Sequence, residues 1–395
     1  MPLFSYTYSL PYVLLFFILL ILLVFELRLR MINASIAGLR ILTILLFLIF
    51  LGLRGHLMTD WVSYYPYFVD LPILFDESFF LFVNNYSFLS EPLFGIYSII
   101  FKTLINDYYA WVFFNVLVDI LILDWFFHKY SSLYILSFML FFVFGGAGLE
   151  INMLRNIKSI CLFILSIPYL QNRKLLPYML INSLGFMFHV SSILFLPFYL
   201  IANLKLSNKI IWSIFIIGNL IFLLELSFIM PVLKFFGGFI GGRLEHIINA
   251  YSVLELYNKS YGFSVGFLER NVTFLIFACN YNRIIREFPF GRIFFNMYVL
   301  YFITFMFFSE MSVISERIPN LFVCSYWILY PNLLNLVSNI IVKKIFLYYL
   351  LALLFMKIIT GFSNVLCRYD NLLWGTLPYS ERFMIFRKSV NDIIK

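Results

Sequence analysis

The stretch PYVLLFFILLILLVF, residues 11–25, contains no charged side chain and decides the class of fold. A helix needs about 20 apolar residues to cross the hydrocarbon core of a bilayer, and this run with its flanks is long enough. Inside lipid every backbone N–H and C=O group needs an internal partner, so continuous apolar segments form helices. Apolar runs recur at 41–53, 110–127, 133–149, 210–224, 293–308 and 345–359. The sequence therefore predicts an all-α, polytopic integral membrane protein with roughly 10–12 transmembrane helices.

The composition excludes other classes of protein. Hydrophobic residues make up 63% of the 395 residues and charged residues only 12%, too few to cover the surface of a soluble domain. A membrane β-barrel would alternate apolar and polar residues instead. Residues 1–10 carry no basic side chain, so the first helix is expected to be retained rather than cleaved as a signal peptide. No CxxC pair or His/Cys cluster predicts a metal site, and we expect inert, buried thiols at Cys161, Cys279, Cys324 and Cys367.

The sign of the charges between the apolar runs predicts the orientation of the chain. The formal net charge is +8, and loops rich in Lys and Arg tend to stay in the cytoplasm. Residues 54–90 and 309–318 are acidic and are expected outside, as is the N-terminus. Basic stretches expected inside are 28–40, 171–174, 283–292 and Lys343–Lys344.

This topology predicts one transmembrane domain, 1–395, with three special regions. Residues 54–109 form an external loop in which 92–106 is an interfacial helix. Residues 229–264 form a large periplasmic loop, and 362–395 form a C-terminal tail. A helix over 317–338 is expected to open with Arg317.

The segment 175–203 is too long for one ordinary span and too short for two. It is interrupted by Gly185, His189, Ser191, Ser192 and Pro197. We expect two half-length helices that enter and return, with the break near His189. Irregular backbone at membrane depth is tolerated only where protein or a water-filled cavity surrounds it, so the break is a candidate cavity wall.

A set of ionisable residues is expected at the external face. Such groups are costly in or near the membrane and often mark substrate paths. Each also has a plain alternative: arginines at helix ends can snorkel to the headgroups, a lone histidine can be a packing residue, and loop charges can simply be solvated. The candidates are Arg54, Asp60, Arg155, His189, Arg243 and Arg317.

Other motifs are absent or uninformative. Asp119 and Asp124 lie within one apolar run, so that helix must face protein or water on one side, but they are five residues apart and do not predict a paired-carboxylate site. The chain has no P-loop, dinucleotide fingerprint, HExxH zinc pair or GxSxG elbow. A cytoplasmic enzyme driven by nucleotides is therefore disfavoured.

Residues 150–200 resemble the EpsG/Wzy-type polysaccharide polymerases. In that family a helix opens with an I-R-Q-like arginine, a basic turn follows, and a second helix ends in F-H-x-S before an L-P-x-Y exit. The stretch 52–65 is similar to the family's R-x-G-x-D-Y element, and Asn156 stands where Gln is common. Arg317 and the late LPY at 377–379 also match recurrent features. The positions that carry the main motifs are Arg54, Asp60, Arg155, His189, Ser191, Pro197 and Tyr199.

The resemblance implies a polymerase of O-antigen or a related surface polysaccharide in the bacterial inner membrane. Such proteins transfer a growing glycan from undecaprenyl diphosphate to the next lipid-linked repeat unit at the periplasmic face. The implied roles are diphosphate binding by Arg155, Arg317 and Arg243, with Arg54 in phosphate contact or lipid anchoring, and proton handling by His189 or Asp60. No cofactor and no nucleic acid is implied. Partners would be the bilayer, a chain-length regulator and a flippase.

Three other functions stay open. An O-antigen ligase shares the architecture and chemistry and differs in the acceptor. A flippase for lipid-linked oligosaccharides handles the same carrier, although two similar halves would be expected and no internal repeat is present. A non-enzymatic chain-length regulator usually has two spans and a large soluble domain, which this sequence lacks.

Overall fold

The computed structural model describes residues 2–74, 76, 91–228, 231 and 262–394. Within these ranges the secondary structure is helical, and extended pairing is limited to isolated β-bridges. The all-α prediction is confirmed. The chain divides into two compact units: unit 1 comprises Met1–Pro197 and Tyr330–Lys395, and unit 2 comprises Phe198–Leu329.

Helices cover most of each predicted apolar run in the first half of the chain, and further helices lie between these runs. One of the helices continues into a π-helical turn at Leu48–Gly52, and another is followed by a kink at Phe144 and Gly145, whose backbone dihedrals are not helical. The helices are α1 Leu10–Met31, α2 Ala37–Phe47, α3 Trp61–Asp70, α4 Pro92–Leu104, α5 Tyr108–Tyr130, α6 Tyr134–Phe141, α7 Ala147–Asn152, α8 Leu154–Gln171, α9 Leu175–Phe188 and α10 Phe195–Ile201.

The second half is built in the same way. An apolar helix covers each predicted run, and shorter helices lie between these apolar helices. These helices are α11 Asn208–Leu223, α12 Val265–Cys279, α13 Tyr281–Glu287, α14 Gly291–Phe307, α15 Ser312–Asn320, α16 Cys324–Leu336, α17 Ile340–Gly361 and α18 Tyr379–Ile394.

Three helical segments of the described chain are long and apolar enough to cross a membrane: Tyr6–Met31, Tyr108–Tyr130 and Tyr134–Asn152. Large apolar side chains also lie on their surfaces; Leu14 and Ile21 on α1 are 63% and 56% exposed. An apolar face left uncovered by protein suits contact with acyl chains. These features agree with the predicted polytopic membrane protein.

The predicted break near His189 is present. Helix α9 ends at Phe188, His189 has an extended backbone, and a 3₁₀ turn over Val190–Leu194 leads into α10. The Tyr178 hydroxyl, near the start of α9, donates a hydrogen bond to the carbonyl of Phe195. The chain therefore reverses at the break and runs back along α9.

One end of unit 1 is assembled from three distant segments. The Ser5 amide donates to the carbonyl of Ser363 at 2.8 Å, and the Leu372 amide donates to the carbonyl of Leu53 at 2.9 Å. The Met58 amide donates to the carbonyl of Leu366, also at 2.9 Å. The segment 362–394 therefore folds back onto the N-terminal residues and onto the turn before α3, so all three share one face.

Two local predictions are corrected. Arg317 does not open a helix over 317–338, because it lies inside α15 and a turn at 321–323 separates α15 from α16. Pro319 in the last turn of α15 explains the interruption, since proline disfavours continued helix around it. Of the cysteines, Cys279 is exposed at the end of α12, whereas the other three are buried as expected.

The structure describes only part of the predicted loops. Helix α4 begins at the expected start of the interfacial helix, and its depth in the bilayer stays a prediction. Most of the predicted periplasmic loop 229–264 lies outside the described residues. The prediction of a single transmembrane domain likewise stays a prediction.

Candidate functional site

The carboxylate of Glu91 joins two of the predicted site residues, Arg155 and His189. His189 Nδ1 lies 2.6 Å from Glu91 Oε1, and Arg155 Nη1 donates to Glu91 Oε2. The Val190 amide also points at Oε1, at 3.4 Å. All four residues belong to unit 1. Arg155 and His189 thus converge on one carboxylate that the sequence placed merely among the external acids.

Three interruptions of the helical backbone bring these side chains together. Glu91 precedes α4, whose first residue is Pro92, and a carboxylate is favoured at a helix N-terminus. Arg155 is the second residue of α8, directly after a break at Met153. His189 occupies the break between α9 and the 3₁₀ turn. Each polar side chain therefore lies at a helix end, where the neighbouring helices do not cover it completely.

Aromatic rings form the wall behind the arginine. The Arg155 guanidinium carbon lies 5.9 Å from the ring centre of Tyr64 and 6.0 Å from that of Phe94, within the range of cation–π contacts. Both rings are buried, whereas the Arg155 side chain is 44% exposed and that of His189 is 26% exposed. The base of the site is fixed by packing, and its open side can receive a ligand.

The electrostatics of Glu91 favour its ionised form. Burial raises the pKa of this carboxyl, but the hydrogen bond with His189 and the charge of Arg155 together lower it more, so the net pKa lies below its ordinary value. An ionised Glu91 accepts only, so His189 Nδ1 must carry the proton of their hydrogen bond. In a neutral imidazole the carboxylate thereby fixes the tautomer, and Nε2 of His189 is then the nitrogen that can accept a proton.

Polar contacts also hold the break itself. The Ser192 hydroxyl donates to the carbonyl of His189 at 2.8 Å, and the Ser191 hydroxyl donates to Asn156 Oδ1 at 3.2 Å. Asn156 follows Arg155 on α8 and is 6% exposed. The shorter amide at this position therefore still links α8 to the break, where the family pattern commonly has glutamine.

Asp60 borders the site through α3. It immediately precedes this helix, and Tyr64, whose ring faces Arg155, lies one turn further on. Asn152 Oδ1 accepts the amides of Thr59 and Asp60, at 3.1 and 3.3 Å. The Thr59 hydroxyl donates to Asp60 Oδ1 at 2.9 Å. Asp60 is half-buried, and these hydrogen bonds orient it at the start of α3.

Arg54 is buried rather than presented to a ligand. It is 4% exposed, and its guanidinium donates to the backbone carbonyls of Leu51 and Glu150, the latter at 2.7 Å. Its backbone forms a β-bridge with Asn371. These contacts tie the turn before α3 to α7 and to the C-terminal segment, which is a structural role.

The remaining two predicted arginines lie outside the described residues of unit 1. Arg317 lies in unit 2, exposed on α15. Arg243 lies outside the described residues. Diphosphate binding by these two side chains stays a prediction.

Sequence reasoning missed Glu91 and a second, deeper ion pair. Lys158, one turn after Arg155 on α8, donates to Asp119 Oδ2 and to the carbonyl of Asn115, both at 2.7 Å. Asp124 instead pairs with Arg40, so the two aspartates of α5 have different cationic partners. A usable signal for Glu91 was its place before Pro92, a common start for a helix. Within the described residues no group of His, Cys, Asp and Glu could hold a metal ion.

Comparison with known proteins identifies the family. The EpsG family model matches residues 38–371, which include Arg54, Asp60, Glu91, Arg155 and His189. Comparisons with curated proteins and with solved structures gave no match. The matched range covers most of the sequence, and family membership indicates a polysaccharide polymerase-type function in a membrane protein. The chain belongs to the EpsG family.

Proposed function

We propose that the chain polymerises lipid-linked oligosaccharide repeat units into O-antigen or a related surface polysaccharide. The observation that best supports this is that the Glu91 carboxylate binds both Arg155 and His189. All three residues lie at the ends of helices. The reaction would take place at the periplasmic face of the bacterial inner membrane. The growing glycan would move from undecaprenyl diphosphate to the terminal sugar of a new repeat unit.

The chemistry needs a base for the acceptor. A sugar hydroxyl oxygen attacks the anomeric carbon of the donor, and its proton passes to His189 Nε2. A positioned base of this kind contributes about 10²–10⁴-fold to the rate. Glu91 supports the step because it orients the ring and stabilises the imidazolium that forms. Asp60, oriented at the start of α3, is the second candidate for the base.

The chemistry also needs stabilisation of the leaving group. The bond between the anomeric carbon and the diphosphate oxygen breaks, and undecaprenyl diphosphate leaves with the electron pair. A guanidinium matches phosphate oxygens with a fixed fork of donors and stays charged near lipid. Arg155 is suited to this role because its exposed side chain is held from behind by Glu91 and by the rings of Tyr64 and Phe94. Arg317 and Arg243 remain candidates for additional diphosphate contacts.

The test is a deletion strain complemented with plasmid-borne variants, followed by gel analysis of the surface polysaccharide. The deletion strain should carry single repeat units, and wild type should restore long chains. Variants Arg155→Ala and His189→Ala, present at wild-type membrane levels, should fail to restore them. A matched control is Arg387→Ala, an exposed arginine on α18.

The same strain separates the alternatives. Complete loss of attached repeat units would indicate a ligase or a flippase instead of a polymerase. Long chains in both variants would exclude the proposed site, even if the polymerase function itself survived.

A further inference from the structure

Three basic side chains, Arg30, Arg40 and His128, line a cavity at the other end of helix α5 from the Glu91 site. Helix α5 begins near the Glu91 site, where Trp111 packs 6.0 Å from the ring of Phe94, and ends at Tyr130. Its 23 residues correspond to about 34 Å at the rise of an α-helix. Beside its last turn, between the end of α1 and the start of α2, lies a cavity of about 500 Å³.

The cavity is lined by basic side chains and backbone but not by the acidic partners of the two arginines. Arg30, Arg40 and His128 contribute to its wall, together with Ser35 and Ser131. The acidic partners lie behind the arginines: Glu26 pairs with Arg30 and has no exposed side-chain surface, and Asp124 pairs with Arg40 and is 14% exposed. Each ion pair therefore points its positive end at the cavity.

The acidic partners are also engaged elsewhere. Glu26 accepts the amides of Tyr134 and Ile135, each at 2.8 Å, and so satisfies the first turn of α6. Asp124 Oδ1 accepts the Tyr134 hydroxyl at 2.8 Å. The cavity therefore takes its polar side-chain groups from Arg30, Arg40, His128 and the two serines, while no carboxylate lines it.

The N-terminus of α2 adds backbone donors. Its N-cap residue, Ile36, makes no side-chain capping bond, although the Ser35 hydroxyl accepts the amide of Ala37. Gly38 follows, and a Cβ placed there would meet no atom within 4 Å, so the space over this turn is open. First-turn amides and the positive end of the helix dipole favour an anion.

The surroundings are those of a lipid site. Met31 and Ile32, at the end of α1, are 80% and 72% exposed, and Ile41 on α2 is 61% exposed. These side chains are neighbours in sequence of the cavity-lining Arg30 and Arg40, and they offer apolar surface for an acyl chain. Basic pockets between membrane helices commonly receive the headgroups of anionic lipids.

We propose that this cavity binds a phosphate group, with Arg30, Arg40, His128 and the first turn of α2 as its ligands. The group can come from an anionic phospholipid or from free phosphate. The site is independent of the polymerase proposal, because it shares no residue with the Glu91 cluster.

The experiment measures thermal unfolding of the purified full-length protein in detergent. Separate titrations add short-chain phosphatidylglycerol, short-chain phosphatidylcholine or inorganic phosphate. A ligand of the native state raises the unfolding temperature in a saturable way. Phosphatidylglycerol should do so at lower concentration than phosphatidylcholine. A matching response to inorganic phosphate assigns the site to free phosphate, and its absence assigns it to the lipid headgroup.

Three variants locate the site. Arg30→Gln should raise the half-saturating concentration about tenfold, which corresponds to about 1.4 kcal/mol. Arg28→Gln makes the same charge change on the same helix, but Arg28 is exposed and does not line the cavity, so it should behave as wild type. Arg40→Gln combined with Asp124→Asn removes a whole ion pair and should weaken binding without leaving a lone buried charge.

No saturable response in wild type to any of the three additives would overturn the proposal. So would equal responses of the Arg28 and Arg30 variants, because the effect would then reflect surface charge in general.

Discussion

Two ion pairs lie on successive turns of α8, and they differ in exposure. Arg155 meets Glu91 with its side chain 44% exposed, whereas Lys158 meets Asp119 with side chains only 5% and 0% exposed. The outer carboxylate also holds His189, whose side chain is 26% exposed. The inner cation also donates to a backbone carbonyl and is closed off. The outer pair can exchange partners with a ligand, and the inner pair can only hold helices together.

The inner pair should dominate stability. Lys158→Met leaves Asp119 charged and unpaired in the interior, and we expect a loss of about 3–5 kcal/mol in the free energy of unfolding. Thermal unfolding and the yield of folded protein in membranes measure this. The double variant with Asp119→Leu should regain most of the loss, since it removes both charges. Equal stability of the single and double variants would mean that the unpaired charge of Asp119 is not the cause of the loss.

The outer pair should dominate activity. Arg155→Gln should lower the polymerisation rate about 10²–10³-fold, the cost of losing one positioned donor to developing charge. Its effect on unfolding should stay within about 1 kcal/mol, because the pair is partly exposed. Rates with a lipid-linked repeat unit and unfolding curves on the same preparation separate the two effects. Arg387→Gln on α18 is the control. An Arg155→Gln protein that loses stability but keeps its polymerisation rate would contradict the comparison.

Glu91 should have an intermediate effect. Glu91→Gln keeps the shape of the side chain but removes the charge that holds both Arg155 and His189. Loss of a charged hydrogen bond is worth about 1.5–3 kcal/mol, so we expect the rate to fall roughly 10–100-fold. Glu91→Asp, which restores the charge, should recover part of the rate. Full activity of the glutamine variant would show that Glu91 does not orient the histidine.

The smallest expected effect concerns His56, which lies in the turn before α3. It is 2% exposed, and its ring stacks on Trp61 at 4.6 Å between centres. Burial, together with the charges of Arg382 and Arg54, lowers the pKa of His56 from 6.5 to about 4. The unfolded chain therefore binds a proton between these values that the folded chain does not, and stability falls as pH drops from about 6.5 to about 4.

The expected loss over that window is about 1–3 kcal/mol. Unfolding temperatures of wild type and His56→Phe, measured at several pH values, test it. The phenylalanine variant should lose less stability than wild type on acidification, because it carries no titrating group at this position. Parallel curves would contradict the assignment.

The sequence predicted what depends on local pattern. Long apolar runs predicted the helices, and the cluster from Gly185 to Pro197 predicted the break at His189, because both follow from backbone chemistry within one segment. Glu91 lies 64 residues before Arg155 and 98 before His189, and no local pattern reports which helix ends meet. The burial of Arg54 could not be predicted from local sequence either, since Asn371, which pairs with its backbone, lies near the other end of the chain.

The most direct measurement is the rate at which purified His189→Gln protein joins lipid-linked repeat units, compared with wild type and with Asp60→Asn. The account predicts a loss of about 10²–10⁴-fold for the His189 variant, a smaller loss for the Asp60 variant, and normal folding of both. A wild-type rate in the His189 variant would contradict the central claim that Glu91 orients this histidine for catalysis.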